Sequence, residues 1–268
     1  CALVLLTSCL LLPLYAFAEE DKVESEASVT VRTVDGERES AKFGEYREIP
    51  AGTSGNIELL YKKKGKYFLG LEAKEISEDD QNLDFNIGWY GKFKINLIYD
   101  QLPHRFAYDA KAFYSGIGSG DLTLSDGMQK DLQDSTTKAT SDINGDGKID
   151  AADDSIASSR LLVDTITNYY FPSALLTDIQ LFRKTGNANL DITAFNPLNL
   201  KAELSREKRE GTRPFFGSYG FGNTVEIPEP IDYDTTALKF SAEYVKKPVY
   251  LSISHYISIF DNNIDTLT

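Results

Sequence analysis

The chain has 268 residues, 26% of them charged and 12% aromatic, with a formal net charge of -13. So acidic a balance argues against a phosphate-neutralising nucleic-acid surface, and the composition is that of neither a disordered chain nor a helical membrane protein. Both cysteines, Cys1 and Cys9, lie in the first apolar run, so the rest of the sequence offers no disulfide, no thiolate metal site and no C-x-x-C-H haem attachment.

Residues 1–18 read as the apolar core of a signal peptide that ends in Ala16-Phe17-Ala18, a small-x-small cleavage site followed by Glu19 and Glu20. Ser8, Cys9 and Pro13 interrupt a run already short for a bilayer span, so removal is expected rather than anchoring. Leu6-Thr7-Ser8-Cys9 resembles a lipoprotein box, but the apolar stretch after Cys9 argues against lipidation. With no initiator Met and no basic region before it, the signal is expected to lack its first residues. Residues 19–41 are polar, apart from a short alternation at 29–34, and are predicted as a mobile periplasmic lead-in.

The first barrel strands are predicted within residues 42–110, at about 56–62, 66–76, 82–90 and 92–100, with turns at Lys63-Lys64-Gly65 and Tyr90-Gly91 and an acidic loop from Ser77 to Gln81. Leu83, Phe85 and Ile87, then Phe93, Ile95 and Leu97, alternate with Asp84 and Asn86, then Lys94 and Asn96. A period of two sets one face in an apolar medium and the other in a polar one, which assigns the first set to lipid and the second to a lumen. A soluble β-sandwich produces the same alternation. Aromatic residues near strand ends (Tyr61, Tyr67, Trp89, Tyr90, Tyr99) match interfacial girdles and favour an all-β, transmembrane antiparallel β-barrel of the outer membrane. His104, which follows Pro103, reads as ordering a turn more readily than as a metal or haem ligand, and His255 alternates with Ile253 and Ile257. Lys62, Lys63, Lys64 and Lys66 form a basic cluster that suits a solvated turn, lipid head groups or a partner.

Residues 111–195 are predicted as a long insertion, within irregular sequence running from about 101 to 190, with a helix after Ala151. The stretch 142–153 has the spacing of an EF-hand calcium loop. Oxygen-bearing Asp142, Asn144, Asp146, Asp150 and Asp153 stand at positions 1, 3, 5, 9 and 12, Gly147 at the sharp turn, the Lys148 carbonyl at position 7 and apolar Ile149 at position 8. A structural calcium ion is the expected cofactor, with Asp153 in place of the usual Glu offering a shorter reach. Residues 196–268 are predicted to carry further strands at about 198–206, 236–246 and 248–260, separated by a surface loop from Pro214 to Pro230. The last strand has no partner, and lipid cannot hydrogen-bond an open sheet edge, so the chain is expected to be an N-terminal fragment of a larger barrel. With no G-x-S-x-G, no phosphate loop and no nucleophile beside a base, no catalytic residues are assigned and no enzyme is expected.

Phe43-Gly44-Glu45-Tyr46-Arg47, the hairpins after it, Tyr99-Asp100-Gln101-Leu102-Pro103-His104-Arg105-Phe106 and the segment from Gly116 to Leu124 together resemble the MtrB/PioB family. Gly211-Thr212-Arg213-Pro214 and the stretch from Val225 to Tyr233, VEIPEPIDY, add a second block in the same order. The resemblance implies an outer-membrane barrel that sheathes a multihaem c-type cytochrome, binds no haem itself and supports extracellular electron transfer. The calcium loop lies outside the family pattern. Two other readings remain: a general porin or substrate channel with a calcium-stabilised loop, and a soluble calcium-binding adhesin or β-sandwich.

Overall fold

A computed structural model describes residues 21–33, 41–42, 45–46, 52–218 and 224–268. The expected signal peptide lies outside the described residues. Nine strands form one antiparallel sheet in the order β1 (Asp21–Arg32), β2 (Gly52–Lys63), β3 (Tyr67–Ile76), β4 (Asn82–Trp89), β5 (Phe93–Ala112), β8 (Leu175–Phe195), β9 (Leu198–Ser218), β10 (Thr224–Lys246) and β11 (Val249–Asn262). Each strand pairs with its neighbour in sequence, except that β5 and β8 are joined across an insertion. That insertion holds a small ladder of β6 (Tyr114–Ser115) with β7 (Thr123–Leu124) and two helices, α1 (Asp126–Gln133) and α2 (Ala151–Thr165). Among the described residues no helix is long and apolar enough to cross a membrane.

Register carries the apolar stripe from strand to strand. Leu69, Ile87, Ile95, Leu190, Ala202 and Phe240 form one cross-strand row, and Leu71, Phe85, Leu97, Ala188, Leu204 and Leu238 the next. Their residues sit on the same face because successive side chains of a strand point to opposite sides. The side chains have no covering layer: Phe240 is 50% exposed, and Leu251 and Ile253 on β11 are 64% and 73% exposed. The predicted division of Leu83, Phe85, Ile87, Phe93, Ile95 and Leu97 from Asp84, Asn86, Lys94 and Asn96 is therefore the division between the two faces of the sheet.

Three sequence expectations need correction. The lead-in contains β1, which pairs with β2 from Asp21↔Lys63 to Arg32↔Gly52. Its apolar-side residues include small Ser25 and Ala27 beside Val23, Val29 and Val31, a pattern too weak in hydrophobicity to announce a strand. The irregular region is shorter at both ends, since β5 continues to Ala112 and β8 begins at Leu175. Beyond Tyr99 the face that carried Phe93, Ile95 and Leu97 presents Gln101, Pro103 and Arg105, so the period-two signal stops while the ladder goes on. Lastly, the supposed loop from Pro214 to Pro230 is largely strand, with Pro214 opposite Pro228 and Thr212 opposite Pro230. Proline suits extended backbone where no ladder donor is needed. Here the β8–β9 ladder ends at Gly211 and the β10–β11 ladder at Tyr233, leaving no neighbour to be deprived.

The antiparallel order sorts the connections by length. The turns at 64–66, 90–92, 196–197 and 247–248 share one end of the sheet, and the connections at 33–51, 77–81, 113–174 and 219–223 the other. At the long-connection end Arg32 binds Glu75 (2.7 Å) and Glu78 (3.1 Å), tying β1 to the end of β3 and the loop after it.

Candidate functional site

On the polar face, side chains that alternate with the apolar rows meet across strands. Asn96 Nδ2 lies 2.9 Å from Asp84 Oδ1 and 3.1 Å from Asn86 Oδ1, and Asn189 Nδ2 donates to Asn96 Oδ1 at 3.1 Å. This amide row continues as the ion pair of Glu203 with Lys239 (3.3 Å). Other rows of this face hold Lys201 with Glu243 (3.1 Å), Arg209 with Glu207 (2.8 Å) and Asn82 with Asp100 (3.1 Å). Each charge on this list is answered on the wall itself, and the half-buried amides satisfy one another. Asn189 escaped the sequence reading because its partner is fixed only by knowing that β8 follows β5 across the insertion, and the pairing of Glu203 with Lys239 because it needs the register of β9 with β10.

His104 lies at the long-connection end of β5. Its Nε2 is 3.2 Å from Glu45 Oε1, and its ring stacks on Tyr46 at 4.5 Å and lies tilted against Phe106 at 4.1 Å. Glu45 in turn accepts Arg105 N–H at 2.8 Å, so the histidine helps seat residues 45–46 beside β5. His255 stands on the apolar face, opposite Phe240.

The aspartate loop is closed by its own backbone. Asp142 accepts from Gly145 and Gly147 N–H (2.6 and 2.7 Å), Asn144 from Asp146 (2.9 Å), Asp146 from Lys148 (2.9 Å) and Asp150 from Ala152 (2.9 Å). Asp153 accepts from Ile143 (2.7 Å), Asn144 (3.0 Å) and Asp150 (3.1 Å), and completes a capping box with Asp150 at the start of α2. Gly147 takes the left-handed conformation (φ 84°) at the sixth loop position. Among the described residues no three His, Cys, Asp or Glu side chains gather about one point as metal ligands. The structure thus places the six predicted residues in one loop, with its carboxylates turned to N–H groups rather than to a common centre.

The N–H bonds from Ile143 and Asp150 hold the Asp153 carboxyl below the ordinary carboxylate range, outweighing the cost of enclosure by its own loop. A depressed folded-state pKa gives stability that is present above the unfolded value of 3.8 and is lost as pH falls through the folded value. Limited proteolysis of the insertion is therefore expected to accelerate below about pH 4, and Asp153→Asn to be cleaved fast already at pH 7. Equal cleavage of both proteins across that range would remove Asp153 from this role.

The model of the MtrB/PioB outer membrane beta-barrel porins matches residues 35–268. The chain belongs to the MtrB/PioB family. It is also 21% identical over 230 residues to the outer membrane protein MtrB of Shewanella baltica (strain OS185), a match covering 86% of this chain and 28% of that relative. An MtrB/PioB protein resides in the outer membrane, so the exposed apolar face of this sheet is the lipid-facing one and the amide and ion-pair rows line the lumen. The family is described as porin-like rather than as a class of enzymes.

Proposed function

We propose that these strands are part of a barrel that sheathes a multihaem c-type cytochrome and supports electron transfer across the outer membrane. The observation that carries this reading is the wall of mutually satisfied amides and closed ion pairs on the polar face. A protein with charged haem propionates cannot sit in hydrocarbon without heavy desolvation, so it needs a polar sleeve. The ion pairs that Lys201 and Lys239 make with Glu243 and Glu203 on the wall itself suit a resident protein better than a pore that selects ions by fixed charge. The full-length protein is expected to co-purify with a multihaem cytochrome after detergent extraction. Haem-free barrels passing small ions freely in planar bilayers, from a host making all its own cytochromes, would favour a substrate channel instead.

The aspartate loop serves in this proposal as a structural calcium site, with Asp142, Asn144, Asp146, Asp150, Asp153 and the Lys148 carbonyl as ligands once the carboxylates turn inward. Support comes from the spacing, the left-handed Gly147 and the helix that begins at Ala151, two residues short of the last ligand. Calorimetry should register uptake at about 10⁻⁴–10⁻³ M calcium. Asp142→Ala combined with Asp146→Ala is expected to make the insertion protease-sensitive and to leave heat-modifiable barrel migration unchanged. Absence of uptake at millimolar calcium would leave a self-closed turn.

A further inference from the structure

The net charge of -13 conceals a sharp polarity. The four short turns with their flanks, at 61–68, 89–94, 195–198 and 245–249, contain eight lysines and no carboxylate, while β1 begins at the same end with Asp21 opposite Lys63. The insertion at 113–174 contains ten carboxylates against four basic residues. These segments are far apart in sequence, and only the antiparallel order brings the short turns to one end and the insertion to the other. A surface whose basic residues are concentrated in this way against an acidic average calls for an anionic partner.

What surrounds the lysines says which partner. On the apolar face this end is bordered by Tyr61, Tyr67, Trp89, Phe93 and Tyr244, an aromatic girdle at the limit of the lipid-facing band. Lys92 Nζ lies 4.1 Å from the centroid of the Trp89 ring, which places an ammonium group just outside that girdle. Lys64, Lys66, Lys92, Lys246 and Lys247 are exposed, and among the described residues no carboxylate forms an ion pair with them. Short turns of outer-membrane barrels face the periplasm, where the leaflet is built of phospholipid.

We propose that this lysine rim is a binding surface for the phosphate headgroups of anionic phospholipids in the periplasmic leaflet. The girdle fixes the depth of the barrel and the lysines select the headgroup, each ammonium reaching a phosphate while its alkyl stem lies along apolar surface. Binding is electrostatic, so it weakens as salt rises.

The test uses the full-length protein in mixed micelles containing either phosphatidylglycerol or phosphatidylcholine, with retained lipid counted by native mass spectrometry. Phosphatidylglycerol should be retained in roughly tenfold or greater preference at low salt, from contributions of several lysines. The combined variant Lys64→Gln, Lys66→Gln, Lys92→Gln, Lys246→Gln and Lys247→Gln should lose that preference, while the matching Lys→Arg set keeps it. Both variants are first checked for heat-modifiable migration, and the arginine set remains informative if the glutamine set does not fold. Competition by inorganic phosphate at equal charge should be ineffective. Equal retention of the two lipids by the unmodified protein overturns the proposal, as does a preference that survives in the folded glutamine set. Displacement of the lipid by an acidic soluble protein, with no preference between the lipids, would also overturn it and make the rim a protein-docking surface.

Discussion

Ile95→Arg is expected to destabilise the folded barrel by about 2–4 kcal/mol, the cost of an arginine near the bilayer midplane on a lipid-facing strand. Ile95 pairs with Ile87 on one side and Leu190 on the other, two residues inside the girdle position of Phe93. Tyr99 marks the far end of the same stripe. The control is Ser205→Arg, whose site lies between Asn187 and Ala237 on the polar face and is expected to change stability by no more than about 0.5 kcal/mol. Unfolding in urea from lipid vesicles measures both. Equal costs would mean that the two faces are misassigned. Alternation alone offers Asn96→Arg as an equally mild control, and the structure withdraws it. Asn96 bonds to Asp84, Asn86 and Asn189, so its loss is expected to cost about 1–3 kcal/mol in unsatisfied partners.

Gly211→Ala is the second large effect. Gly211 has φ +128°, a conformation that residues with a side chain rarely adopt, and an added Cβ would stand 2.2 Å from the Gln180 carbonyl oxygen and 3.2 Å from Leu181 Cα. Neither neighbour is a flexible side-chain end, so the two strands would have to separate where their ladder closes at Leu181↔Gly211. Backbone strain and overpacking together should cost roughly 2–5 kcal/mol. Gly186→Ala, on the adjacent strand with nothing within 4 Å of its added Cβ, should stay close to the unmodified protein. Indistinguishable urea midpoints for the two alanine variants would refute the close approach at Gly211.

The stretch from Leu83 to Leu97 was legible in the sequence because there water and lipid each claim one face, and the contrast between them is written residue by residue. Beyond Tyr99 the two environments cease to differ so sharply. The strands there are held by ladders that any side chain can accompany, and Gln101, Arg105, Pro214 and Pro228 read as loop although each is in a strand. β1 was missed for a related reason: Ser25 and Ala27 meet an apolar surface without being strongly apolar. The six residues from Asp142 to Asp153 were identifiable because a calcium loop is a local pattern. The amide and ion-pair wall was not, because Asn96 and Asn189 are separated by 93 positions and come together only through the register of β5 with β8.

The row of Asn86, Asn96 and Asn189 has one more consequence. Amide side chains neither gain nor lose a proton across the physiological range, so these three add no charge to the wall at any pH within it. Because their dipoles are already tied to one another, they have little freedom to swing when a charge arrives or departs nearby, whereas bulk water would reorient. On the sheath reading proposed above, a redox group held behind such a wall would meet a medium with a small reorganisation energy.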